Sequence, residues 1–488
     1  MYKKRKIDMG NTCYIVAIEL SSSKISGVVG IETTEGMRIL AAASARVDGF
    51  ISKGIVRNVD KTSGAINDII NRLETDLNKA TGEYINIKKA YITFAGLSVH
   101  SIKSQVNRDF GKYTKITQDI INECDRLDTF QTPEGYKRLQ VDPQEYRLDG
   151  NVDYNPIGAY TQTIECNYLN IVMKEQFYTQ LCDSFAQASI EIEDSFCAAH
   201  FDADILLSKD QRRNGCALVN IGAETTTISI YNNDKPKMIT VLPLGSNNIT
   251  RDLTAELISL EQAEEIKFIQ GYKSTYNSCD GIDNETVNKV IYARMGEILK
   301  NVRYQIEESG EMVRHIVFTG GGSKLKNLKE LLDEFLPNFS TDIKPEPEFN
   351  LISENEVNIY GVITTALYGL LKQGKANCCE IAMPAAQETA IKNGELFFTD
   401  ETETEKTVET DEPKKTEEVE TKATEEEKKP EQQKQPAKPQ KPIKDKGNGP
   451  KKSWKDSIGN LFQDFVRNMT SDPEDENSNE ENNTTINQ

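Results

Sequence analysis

A tight-turned strand pair occurs twice in this chain, and the repetition constrains the fold more than any single motif. The first copy, residues 17–30, reads AIELSSSKISGVVG; the second, residues 218–231, reads LVNIGAETTTISIY. Each is an apolar strand, a short turn of hydroxyl-bearing and small residues, and a second strand of alternating character, the pattern of an antiparallel hairpin. A turn of this kind presents successive backbone N–H groups beside side-chain hydroxyls, which is how an uncharged loop holds phosphate oxygens. One serine-rich hairpin is usually only a hairpin. Two in one chain point to a duplicated fold that grips a phosphate tail from both sides.

At 488 residues the chain exceeds what one hydrophobic core supports, so two or more folded units are expected. A net charge of −19 argues against nucleic acid as a partner. The nine cysteines include no CxxC pair and one adjacent pair, Cys378 and Cys379, a pattern of reduced thiols rather than of a zinc site or a disulfide framework. His100, His200 and His315 lie far apart and give a histidine-based centre little to build on. The start, MYKKRKIDMG, is basic but lacks the apolar run of a secretory signal. No apolar stretch reaches the roughly 18 residues of a spanning helix.

From residue 14 to about 373 strands and helices interleave. Strands are expected over 14–18, 25–31, 38–45, 90–94, 216–221, 226–231, 237–242 and 315–318. Helices are expected over 61–79, 249–260, 262–270, 284–308, 325–335 and 359–371. Strand–strand–strand–helix–strand order recurs in both halves and indicates α/β lobes around mixed sheets. Residues 97–161 break this rhythm as a small insertion.

Residues 398–452 are dominated by Glu, Thr, Lys, Pro and Gln. Such a segment buries too little surface to offset its ordering entropy and reads as a solvated tether. A flexible coil of about 75 residues reaches roughly 45–50 Å. Beyond it, Trp454, Ile458, Leu461, Phe462, Phe465, Val466 and Met469 fall on one helical face, with four lysines (444, 446, 451 and 452) just upstream. Two readings fit: a helix docking on protein, or an interfacial membrane anchor whose aromatics enter the headgroup boundary while lysines meet anionic lipids. The second is preferred.

A third element, HIVFTGGGSKLKNL at residues 315–328, is a short strand, three glycines and a helix opening. Glycines there let backbone approach a ligand closely. In this order, the two hairpins and the glycine segment resemble the nucleotide-binding signature of the actin, sugar kinase and heat-shock chaperone superfamily. Further strings are similar to the FtsA family of bacterial cell-division proteins: DGFISKGIVRNVD (48–60), VDPQEYRLDG followed by NPIGAY (141–160), and AEEIKFIQG (263–271). The PQEY passage and the leashed helix distinguish this resemblance from one to MreB or to the chaperones.

The resemblance implies a two-lobed actin-like ATPase fold. Its expected parts are a disordered N-terminus (1–12), a first lobe (13–96 and 162–206), an inserted subdomain (97–161), a second lobe (207–375), a disordered acidic linker (376–450), a C-terminal amphipathic membrane-targeting helix (451–470) and a disordered acidic tail (471–488). It implies ATP with Mg2+ as cofactor. Ser21, Ser22, Ser23 and Lys24 would surround the phosphates from one side, and Gly222, Thr225 and Thr226 from the other. Glu264 and Lys267 would lie near the ribose, Gly320, Gly321 and Gly322 would flank the adenosine, and Lys324 would cover the base. Read alone, Glu264 and Lys267 fit an exposed ion pair equally well, and the serines fit local turn bonds. Glu19 and Asn220 are the candidates for any catalytic role.

Two departures from the superfamily pattern stand out. Asn220 occupies a place where many relatives have an aspartate near hydrated magnesium; an amide accepts a hydrogen bond but is no general base. Ala223 and Glu224 replace turn glycines, and Glu224 would weaken phosphate binding if it pointed inward. Slow or absent ATP hydrolysis is the expectation. The family's implied role is a polymerising scaffold on the inner face of the cytoplasmic membrane at the division septum. It would bind the C-terminal tail of FtsZ, self-associate, hold lipid through Trp454, Ile458, Leu461, Phe462, Phe465 and Met469, and recruit other divisome membrane proteins. Arg294, Lys300 and Arg303 are the candidates for the FtsZ contact. The rivals are an FtsA-related pilus-assembly adaptor and a small-molecule kinase of the same superfamily.

Overall fold

Both expected hairpins form, and each seeds a sheet. Ile15–Leu20 pairs antiparallel with Lys24–Thr33, from Ile15 opposite Gly30 to Leu20 opposite Ile25. Cys216–Ile221 pairs antiparallel with Thr226–Asn232, from Cys216 opposite Tyr231 to Ile221 opposite Thr226. A third strand continues each hairpin antiparallel, Gly36–Arg46 in one case and Lys235–Leu242 in the other. On the opposite side a parallel strand joins each hairpin, Lys89–Phe94 and His315–Thr319, and a second parallel strand follows, Glu191–Cys197 and Ser340–Ile343. The two sheets therefore share one strand order. Strands covered on both faces read as nearly continuous apolar runs, as IVAIEL and CALVNI do.

This computed structural model describes residues 12–127, 130–273, 283–345, 349–353, 357 and 359–381. All belong to one unit, Met1–Thr399. The expected tail 471–488 and the amphipathic helix 451–470 with its lipid-facing residues lie outside the described residues, as do most of the linker and all but the last residue of the segment 1–12.

A long helix backs each sheet. Val59–Thr81 is capped by Asn58, whose side chain accepts from the Lys61 N–H at 2.8 Å. Its Ile66, Ile69, Leu73 and Leu77 recur at helical spacing and are fully buried. A Cβ at Gly27 would sit 2.8 Å from Ile69, so the sheet admits this helix only where that strand carries no side chain. Asn284–Glu308 does the same for the second sheet, capped by Asp283 and burying Val287, Ile291, Met295, Ile298 and Val302. Each such burial contributes about 1.5–3 kcal/mol.

The insertion is a four-stranded antiparallel sheet of His100–Lys115, Tyr136–Leu148, Asn151–Asp153 and Tyr160–Lys174, with the helix Gln118–Leu127 closing a small core. Its last strand crosses the expected boundary at 161. Ile171 and Met173, at the far end, pack into the core of the first sheet.

Several expectations are corrected by local backbone chemistry. The expected helix 249–260 stops at Leu253, passes through a 3-10 turn, and places Leu257 in the left-handed region at φ 67°. A capping box between Ser259 and Gln262 then starts Leu260–Gln270 afresh. The expected helix 325–335 begins at Leu328, after a 3-10 turn over Gly321–Lys324. The expected helix 359–371 is Thr365–Gln373, capped by Thr364. Residues 376–381, expected to belong to the linker, are ordered instead, because Cys379–Ile381 pairs antiparallel with Ile85–Ile87 and the Cys378 N–H donates to the Tyr14 carbonyl.

The last described part of the expected second lobe returns to the first sheet. Leu351–Ser353 adds a parallel edge strand beside Gly36–Arg46. Leu367, Leu370 and Leu371, from Thr365–Gln373, fill the first core.

Candidate functional site

A cavity of about 730 Å³ opens between the two sheets. Both hairpin turns reach it, as do the glycine segment and the helix Leu260–Gln270. Ser21, Ser22, Ser23 and Lys24 line it from one side, and Gly222 and Thr225 from the other. Glu264, Lys267, Gly320, Gly321, Gly322 and Lys324 complete the set expected from the sequence. Thr226 does not line it. That side chain is buried in the second sheet and donates to the Leu244 carbonyl at 2.8 Å.

The first turn is folded on its own hydroxyls. The Ser21 hydroxyl donates to the Lys24 carbonyl at 2.8 Å and accepts from the Lys24 N–H at 3.2 Å. The Ser22 hydroxyl accepts from the Gly54 N–H at 2.7 Å, so it holds a loop of the same half. The Lys24 ammonium donates to the Gly361 carbonyl. Burial pulls its pKa below the usual lysine range; Glu19 opposes this and Lys324 adds to it.

The second turn leans on neighbouring backbone. The Gly222 N–H donates to the Thr225 carbonyl at 2.8 Å. The Ser246 and Asn247 N–H groups donate to the carbonyls of Gly222 and Ala223 at 2.9 and 2.8 Å. Glu224 points away from the cavity. Its carboxylate accepts from the Ser52 hydroxyl at 2.9 Å, the Lys53 N–H at 2.7 Å and the Arg251 guanidinium. The negative charge expected to trouble a phosphate is neutralised elsewhere.

Glu264 and Lys267 stand one helical turn apart and pair at 2.6 Å, with the Thr250 hydroxyl within hydrogen-bond reach of both. Lys267 is only 6% exposed, and burial lowers its pKa while Glu264 resists. This is a buried cation beside a half-exposed acid, not a surface ion pair. Gly320 adopts φ 85°, and a Cβ there would come 2.3 Å from Asn220 Oδ1 and 2.5 Å from the Ile221 carbonyl oxygen. Only glycine fits.

The floor of the cavity is acidic. Glu19 accepts from the Thr364 hydroxyl at 2.5 Å, and burial pushes its carboxyl above the usual range. Asp202, 4% exposed, accepts from Asn220 Nδ2 at 2.7 Å and from the Thr365 hydroxyl. Burial raises its pKa too, while the two hydrogen bonds hold it down. Asp202, Thr364 and Thr365 are additions to the expected set. The signal for Asp202 was an acid inside the apolar helix AAHFDADIL. Among the described residues no group of three or more His, Cys, Asp or Glu side chains has a metal-holding arrangement.

The three cations expected to meet a partner lie on Asn284–Glu308 outside this cavity. Arg294 is engaged by Asp252 at 2.5 Å and Glu297 at 2.8 Å, and Arg303 by Glu307 at 2.7 Å. The Lys300 ammonium rests over the Phe335 ring, 5.4 Å from its centre.

Chemically, lysines, hydroxyls and close-approaching backbone suit a polyanion, and the buried oxygen donors beside them suit a hydrated cation. The family model for the cell division protein FtsA matches residues 217–358. The cell division protein FtsA of Porphyromonas gingivalis is 26% identical over 352 residues, covering 67% of this chain and 72% of the relative. That of Bacillus subtilis is 25% identical over 358 residues, covering 68% and 78%. Among solved structures, a chain of the PilM-PilN type IV pilus biogenesis complex superposes with a TM-score of 0.53 at 16% identity, covering 74% of this chain and 98% of that one. The resemblance read from the motifs is thus borne out: the chain has an actin-like ATPase fold, and its relatives in sequence are FtsA cell-division proteins.

Proposed function

We propose that this chain is an ATP-binding, actin-like scaffold of bacterial cell division that polymerises and ties FtsZ filaments to the inner face of the cytoplasmic membrane. One observation carries the nucleotide reading: two hairpin turns and a glycine segment, far apart in sequence, surround a single cavity supplied with Lys24, Lys267 and Lys324. The residues fit ATP. Hydroxyls and turn N–H groups would take the phosphates, the pair Glu264 and Lys267 the ribose, and the glycines the adenosine. Bound Mg2+ would neutralise phosphate charge, and Glu19 and the Asn220 amide oxygen would hold its water shell. Asn220 carries no charge and takes no proton, which favours slow or absent hydrolysis.

Assembly of such bodies head to tail is a heterologous contact and gives open filaments. The segment 451–470 would hold the filament on lipid, weakly per copy and firmly for a polymer. The FtsZ tail would be met on Asn284–Glu308. There Lys300 and Arg303 would be the more available cations, since Arg294 is already clamped by two acids. The inserted sheet would recruit further divisome membrane proteins. The test is co-sedimentation with anionic liposomes of the full chain and of a version ending at Lys452, each with and without ATP, alongside binding of a fluorescent ATP analogue. The full chain should pellet and the short one should not, while both bind nucleotide. Equal pelleting removes the anchor, and absent nucleotide binding removes the ATP reading.

A further inference from the structure

We propose that Asp202 is a positioning residue: it fixes which end of the Asn220 amide faces the cavity, and so gives nucleotide binding its dependence on a divalent cation. The proposal rests on the ATP reading above and names the part of the site that the sequence pattern left without a charge.

An amide side chain has two unlike ends, an acceptor oxygen and a donor NH2 group, and only the oxygen can accept from a metal-bound water. At Asn220 the choice between them is made by Asp202. Both Asp202 oxygens act as acceptors, Oδ1 from the Thr365 hydroxyl and Oδ2 from Asn220 Nδ2 at 2.7 Å, so the end of Asn220 that faces the carboxyl is its NH2 group. The amide oxygen is left on the other side, against Gly320. Asn220, Asp202 and Gly320 all line the cavity.

Asp202 is itself fixed. It sits on Ala198–Leu206 with 4% exposure, and its second oxygen accepts from the Thr365 hydroxyl at the start of Thr365–Gln373. A carboxylate in that setting is costly unless its hydrogen bonds are made. The contrast with Asp204, two residues on, is direct: Asp204 turns outward to Arg212. The carboxyl group that Asn220 lacks therefore stands one hydrogen bond behind it, on a different element. Glu19 lies across the same floor, bonded to the adjoining Thr364.

The experiment measures the affinity of the full-length protein for a fluorescent ATP analogue in Mg2+ and in EDTA. Four proteins are compared: wild type, Asp202→Asn, Asn220→Ala and the reciprocal swap Asp202→Asn with Asn220→Asp. Each also has its thermal midpoint measured. A charge-assisted hydrogen bond of this kind supports a loss of about tenfold. Asp202→Asn should reduce the gain in affinity given by Mg2+ by that factor, with the EDTA affinity within about twofold of wild type. Asn220→Ala should lose the same gain. The swap rebuilds the acid–amide pair with the carboxylate on the strand and should restore the gain. If Asp202→Asn weakens binding equally in Mg2+ and EDTA, Asp202 only braces helices and the proposal fails. It fails equally if the swap, melting like wild type, does not restore the gain. Should Asp202→Asn alone not fold, the swap decides the matter, since it keeps the hydrogen-bonded pair. A wild type that binds no nucleotide overturns the ATP reading and this proposal together.

Discussion

The two hairpins share a register but are braced by opposite means. The first turn holds itself through serine hydroxyls, with Ser21 closing on Lys24 and Ser22 taking the Gly54 N–H. The second turn has few hydroxyls to spare and is held by the backbone of residues 246 and 247, while its one charged side chain, Glu224, reaches to Ser52 and Lys53 in the other half. Both arrangements end on the same short loop, residues 52–54. The difference teaches that a duplicated element need not keep duplicated chemistry: with Ala223 and Glu224 in the second turn, support comes from neighbouring backbone and the charge ties the two halves together.

Three measurements break or sharpen that comparison, in order of size. The parallel strand of each half is followed by a left-handed glycine, Gly96 at φ 97° and Gly320 at φ 85°. Gly96 meets the 52–54 loop, whereas Gly320 meets the second hairpin itself, at Asn220 and Ile221. Gly320→Val adds backbone strain to a clash and should cost about 3 kcal/mol or more in denaturant unfolding, together with nucleotide binding. A loss below about 1 kcal/mol would mean that the second hairpin shifts to admit a side chain at this position.

The helix bearing Asp202 is tied to the inserted sheet by His200, whose Nε2 lies 2.9 Å from Asp142. Burial works against a proton on His200, but Asp142 and Cys197 outweigh it and raise its pKa from 6.5 to about 10. A raised folded-state pKa means stability fully present below about pH 6.5 and lost as pH climbs toward about 10. His200→Gln should flatten that slope. It should cost about 2–3 kcal/mol at neutral pH, less than a fully buried pair because each side chain keeps about a fifth of its exposure. An unchanged slope would place the titration elsewhere.

The smallest effect tests the comparison most directly. Glu224→Ala removes a mostly buried acceptor of three donors and should cost about 2 kcal/mol, against about 1 kcal/mol for Ser22→Ala, which removes one neutral bond. Equal costs would show that the loop is held no more firmly by the carboxylate than by the hydroxyl.

The hairpins, the long helices and the glycine segment were legible because each is a local pattern: alternation, helical spacing, a turn. What escaped depends on partners distant in sequence. Thr226 reads like its neighbour Thr225, but the strand register turns it into the sheet. Asp202 looks like a polar intrusion in an apolar helix until the fold brings Asn220 and Thr365 to it. The break at Leu257 was in principle readable from the Ser259–Gln262 capping box, and apolar spacing across it hid the signal. Leu351–Ser353 is too short to announce that it pairs with Gly36–Arg46.

That late strand, with Thr365–Gln373 and Cys379–Ile381, has a consequence for synthesis. The second sheet can be complete once residue 343 has left the ribosome, whereas the first, made earliest, still lacks an edge strand and a covering helix. For most of translation the nascent chain carries an open edge at Gly36–Arg46, the kind of surface on which unfinished proteins stick to one another. The half that is born first is sealed last.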